Sequence, residues 1–147
     1  MENAYKTMKD KHRKEFGDIP CFYAFNDEQF AEGMAKFCLL PDDTDKIFKM
    51  RGTGGFYLRT DAIRLFDMIN RHEKEIHNAI YADITGEGFI YDMFSHVLSN
   101  HEYTIIGDVE YTMDSLDLTW RDIEKNYRLR HGLELAKKNQ YEHIEAT

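Results

Sequence analysis

Four short stretches carry residue types that could do chemistry. HEKEIH (72–77) sets two histidines about a glutamate, the set that holds and activates a zinc-bound water in HExxH enzymes. The spacing defeats that use: His72 and His77 are five apart rather than four, so a helix turns them about 140° away from each other. His72 falls on an apolar stripe and is expected to be a hydrogen-bonded core histidine. NHEY (100–103) gathers an amide, an imidazole, a carboxylate and a phenol, which could form half of an acid–base site. The alternative, and the expectation, is that His101 continues an apolar face and donates to the carbonyls of the last helical turn. PDDTDK (41–46) is acidic but lacks the central Gly and the distal Glu of an EF-hand loop, so solvated acids are expected.

RGTGG (51–55) has the glycines of a phosphate cradle, yet no GK[ST] follows and no helix begins there. A smaller anion site remains open, with the backbone amides at Gly54 and Gly55 and the cations Lys49, Arg51 and Arg59. DSLDLTWRDIEKN (114–126) has a helix–turn–helix look, but Asp122 and Glu124 stand beside Arg121 and Lys125. A phosphate backbone would be repelled, so no direct nucleic-acid binding is expected. No ligand-set spacing is recognisable, and neither a metal nor a cofactor is expected; no residue is assigned a catalytic role.

The elements that must position these groups follow from periodicity. Residues 2–16 suit an amphipathic helix with Tyr5, Met8, His12 and Phe16 on one side, stopped by Gly17. IPCFYAF (19–25) suits a short strand. A helix capped by Asn26, with Gln29 completing a capping box, should bury Phe30, Met34, Phe37 and Cys38. Residues 46–59 alternate about a Gly-rich turn and predict a β-hairpin. A long helix to about Asp83 follows, with a stripe of Ala62, Leu65, Phe66, Ile69, Ile76, Ala79 and Ile80. Next comes the widest stripe in the chain, Phe89, Ile90, Met93, Phe94, Val97 and Leu98, joined by a TGEG turn so that the two helices should pack antiparallel. EYTII (102–106) suits a strand, Asp108 begins a further helix, Thr119 and Asp122 form a capping box, and the last helix runs to about Tyr141, with 142–147 frayed. This order predicts an α+β fold, one compact domain over 1–147, with a small antiparallel sheet and its β-hairpin against a mainly helical layer.

Charge is unevenly spread. The net of −8 includes −6 over 17–45, +4 over 46–60 and −7 over 85–120, where no Lys or Arg occurs, and the rest of the chain adds +1. Within that last block Glu102, Asp108, Glu110, Asp114 and Asp117 follow one another without a base, and the last three share a helix side. These five are the candidate partner-binding residues. Cys21 and Cys38 form no CxxC pair and are expected as buried free thiols in a reducing compartment. Neither an apolar span nor a signal-like leader stands out, so no membrane association is expected.

TGEGFIYDMFSHVLSNHEYTIIGDVEYTMDSLDLTW, with TDKIFKMRGTGGFYLRTDA upstream, resembles a family of small proteins of bacteriophages and mobile elements. The similarity extends over about 20–145, and EGFIYDMF and NHEY are its most recognisable parts. That family brings no established activity and no catalytic residues. The resemblance implies an accessory gene acting in the bacterial cytoplasm, where such products often blunt host defences by binding a host or phage protein. Together with the acidic stretch, it yields the expectation of a non-enzymatic protein, possible DNA mimic included, that binds a basic macromolecule. A small-anion binder using the hairpin is the alternative.

Overall fold

The computed structural model describes residues 2–51, 54–100, 116 and 118–146. In order they form α1 (Ala4–Gly17), β1 (Cys21–Phe22), α2 (Asp27–Lys36), β2 (Ile47–Lys49), β3 (Phe56–Leu58), α3 (Ala62–Ala82), α4 (Phe89–Asn100), α5 (Trp120–Lys125) and α6 (Tyr127–Ala146). Single 3-10 turns at Thr44–Lys46 and Arg59–Asp61 flank the hairpin. The fold is α+β with one three-stranded antiparallel sheet ordered β1–β3–β2. No helix among the described residues is long and apolar enough to cross a membrane.

The chain divides into two compact units, one of 1–11 with 74–147 and the other of 12–73. The second holds the sheet. Ile47 pairs with Leu58 and Lys49 with Phe56, and the turn closes through Met50 N–H to the Gly55 carbonyl with Gly54 at φ 75°. The strands are short but buried on both faces. Phe22, Ile47 and Phe56 meet Phe30 and Met34 of α2 and Phe37 at its end, while Tyr57 and Phe48 meet Phe16, Ile19, Leu65 and Met68. Gly33 makes the α2 contact possible, because a Cβ there would lie 2.1 Å from the Phe22 ring. The buried side of α3 is Leu65, Met68 and His72, so Phe66, expected inside, is half-exposed.

In the first unit α4 packs along α6. Ile90, Met93, Phe94, Val97 and Leu98 meet Leu129, Leu133 and Ala136, with Tyr5 and Ile123 completing the cluster. This corrects the expectation that α3 would be the antiparallel partner of α4. The apolar side of α3 near its start is taken by the sheet, which leaves the wide α4 stripe to α6. The turn between α3 and α4 is organised by Asp83, whose carboxylate accepts from the N–H groups of Gly86, Gly88 and Ile90. Arg128 ties α6 to it by donating to the carbonyls of Tyr81 and Asp83. Asp92 of α4 accepts from Ala4 N–H while its own carbonyl accepts from Asn3, so the start of α1 is capped from α4. Thr119 and Asp122 form the expected capping box at α5, and α6 continues beyond the expected end at Tyr141 to Ala146.

Both cysteines are exposed, which corrects the expectation of buried thiols. Cys38 follows the end of α2 with φ 59°, and Leu39 N–H bonds back to Met34 as Cys38 N–H does to Ala35. This left-handed helix ending carries Cys38 off the inner face and packs Leu39 in its place. Cys21 sits on the outermost strand beside β3.

Candidate functional site

The feature best placed to meet a partner is a groove of about 440 Å³ between β1 and α2. Phe22 and Gly33 form its floor; Cys21, Tyr23 and Phe25 stand on the strand side, and Gln29, Glu32 and Lys36 on the helix side. Its local origin is the cap of α2. Asn26 accepts from Gln29 N–H, but the Gln29 side chain accepts from Phe25 N–H rather than from the cap residue. A residue preceding a cap commonly packs as a staple on the fifth residue beyond it. Here that residue is Phe30, which is turned into the core, and Phe25 stays 90% exposed. Tyr23 is 53% exposed. Two aromatic side chains are therefore presented to solvent by a backbone that hydrogen bonds fix.

The charge of the segment that carries them is one-sided along the sequence. Asp18, Asp27, Glu28, Glu32, Asp42 and Asp45 are exposed, and Lys36 is the single base between 17 and 45. Asp43 is engaged locally, accepting from Leu40 N–H and lying 3.8 Å from Lys46. Composition revealed the −6 block, but not that it borders an aromatic-rimmed groove. The available signal was Phe25 directly before a cap.

A second constellation lies between α1 and α3. The rings of His12 and His72 stack at 3.7 Å with 10° between planes, and Phe16 meets His72 edge-on. His72 Nε2 is 3.3 Å from Glu15 Oε2, and Arg71 forms an ion pair with the same carboxylate. His72 is thus the expected hydrogen-bonded core histidine; His12 was legible as apolar-side, and the pairing was not. Both imidazoles are buried, at 3% and 6% exposure, which keeps them from acid–base work on a substrate. Burial lowers the His72 pKa, with His12 adding to the effect and Glu15 opposing it. The Arg71 hydrogen bond, helped by His72, holds the Glu15 carboxyl down at about 2.

These shifts fix a pH dependence. With its folded pKa below the unfolded value of about 6.5, His72 is neutral in the fold, and unfolding takes up a proton below that pH. The His72 contribution to stability is then full above about pH 6.5 and is lost below it, at up to about 1.4 kcal/mol per pH unit, until the folded imidazole protonates in turn. Glu15 extends the loss on the acid side of about pH 4.5, where its unfolded carboxyl protonates first. Urea midpoints between pH 5 and 8 should show the fall for the wild type and a flatter profile for His72→Phe. Equal profiles for the two would contradict this account.

Of the other candidate residues, Lys49 lies 5.6 Å over the Phe56 ring, and Lys49, Arg51 and Arg59 are exposed. Lys49 and Arg51 are near the hairpin turn, whereas Arg59 begins the 3-10 turn that follows β3. Gly54 and Gly55 are in the turn, and Gly55 is buried against Tyr57 and Tyr23. Glu102, Asp108, Glu110, Asp114 and Asp117, with His101 of NHEY and the expected strand 102–106, lie outside the described residues. Among the described residues no three His, Cys, Asp or Glu side chains are grouped to hold a metal ion.

The fold is that of a mainly helical α+β protein with a groove edged by exposed aromatic side chains. The chain belongs to the family of unknown function DUF7659, whose model it matches over residues 4–139. No curated protein and no solved structure matches it.

Proposed function

We propose that this chain is a non-enzymatic protein that binds a basic macromolecular partner through an acidic surface. The observation that carries this is the pair of exposed aromatic side chains, Tyr23 and Phe25, set in a segment with six exposed acids and one base. Aromatic anchors supply binding energy where they can be desolvated, and surrounding charge of one sign selects and steers the partner. Glu102, Asp108, Glu110, Asp114 and Asp117 extend the acidic character along the chain. The resemblance to phage-encoded proteins makes a host factor, such as a defence or DNA-handling protein, the first partner to seek, with the acids imitating a phosphate backbone. The alternative reading, a small-anion binder, asks Lys49, Arg51 and Arg59 to converge with the backbone amides of Gly54 and Gly55.

The test is retention of bacterial host proteins on the immobilised chain. Wild type is compared with Asp27→Asn/Glu28→Gln/Glu32→Gln and with Glu110→Gln/Asp114→Asn/Asp117→Asn. A basic protein held by the wild type, released by salt and lost from at least one variant is the expected result. Retention unaffected by either variant would overturn the reading.

A further inference from the structure

We propose that the groove between β1 and α2 takes an extended, basic segment of its protein partner as an added fourth strand on β1, with an apolar side chain seated between Tyr23 and Phe25. This rests on the basic-partner reading and specifies how that partner is held. In the sheet order β1–β3–β2, β1 is an outer strand, and its far edge carries no strand among the described residues. In an antiparallel strand alternate residues point N–H and C=O to either side, so β1 directs backbone groups away from β3 as well as toward it. Main-chain bonds to such an edge supply affinity, and pockets for alternate side chains supply specificity.

The groove provides for both. Cys21 and Phe22, the two residues of β1, line it directly. Tyr23 and Phe25 follow the strand directly, line the same groove and are exposed, so both can contact an incoming chain. The opposite wall carries Glu32 and Lys36, and with Asp27 and Glu28 exposed on the same helix the acids outnumber the base three to one, which favours Lys or Arg at the solvent-side positions near the start of the helix. Gly33 lets the helix come close over Phe22 at the floor, since a Cβ there would lie 2.1 Å from the ring. The occupant that matches is therefore extended, apolar at alternate positions and basic between them.

The probe is a fluorescein-labelled nonapeptide alternating lysine and valine, read by anisotropy against the full chain at low salt. Two N-methylated forms, one in each alternate register, remove the N–H groups on one side of the peptide or on the other. Strand addition predicts that one register weakens binding about tenfold or more and the other leaves it within about twofold, because one edge alone is paired. Tyr23→Ser/Phe25→Ser should also weaken the unmethylated peptide about tenfold, as loss of an anchor does. Equal binding by both methylated forms, or equal loss, overturns strand addition, while binding by the parent peptide still supports the acidic-surface reading. If the parent peptide fails to bind but a basic host protein is retained, this inference alone falls; if neither binds, both fall.

Discussion

Phe94→Ala is expected to lower stability by about 3–5 kcal/mol, the range for removing a large aromatic side chain from a core. Phe94 has no exposed surface and sits among Ile90, Met93, Val97, Leu98, Leu129 and Leu133. It lies on the face of α4 that packs along α6. The cavity left behind is walled by helix, so neighbouring side chains can refill only part of it. Urea denaturation followed by helical circular dichroism reads the loss directly. A change below about 1 kcal/mol would mean that α4 is peripheral rather than central to its unit.

Gly86→Ala should cost nearly as much for a different reason. Gly86 has φ 84°, where an L side chain is strained by about 1–2 kcal/mol. A Cβ there would also stand 2.4 Å from the carbonyl oxygen of Arg128, a backbone atom that cannot swing aside. Overpacking adds about 1–3 kcal/mol, so the expected loss is about 2–5 kcal/mol. The contact is reciprocal, since a Cβ on Gly132 of α6 would meet the Gly86 carbonyl oxygen and Ile90 Cγ2, each at 2.6 Å. Gly17→Ala is the control: its Cβ meets nothing within 4 Å, and a melting temperature close to wild type is expected. Equal melting temperatures for the Gly86 and Gly17 variants would refute the close approach.

Gly132 marks the limit of what was legible in the sequence. The wide stripe of α4 declared a buried helix, because period and side-chain type suffice for that. Periodicity names a face and not what meets it, and a lone glycine inside α6 reads only as a weak helix former until its neighbour is known. The hairpin was legible because its glycines and its alternation agree with one register. The α5 cap was legible because Thr119 and Asp122 act within one turn. The groove was not, since it depends on Gln29 reaching Phe25 N–H rather than the N–H of Asn26, a choice of one residue that spacing leaves open. The stack of His12 on His72 joins side chains from two helices 60 positions apart, each readable as core and neither as the other's partner. Cys38 shows the converse: its place on the α2 stripe suggested burial, and the left-handed helix ending turned it out.

The central claim is that one-sided acidic charge brings a basic partner to the chain. The measurement that bears on it most directly is the association rate of the retained host protein as a function of salt. Attraction between exposed charges is screened over about 8 Å at physiological ionic strength and over about 3 Å at 1 M. The account predicts a rate about tenfold or more lower at about 500 mM salt than at about 50 mM, with the dependence reduced in the neutralised variants. An association rate that is the same at both salt concentrations would contradict it.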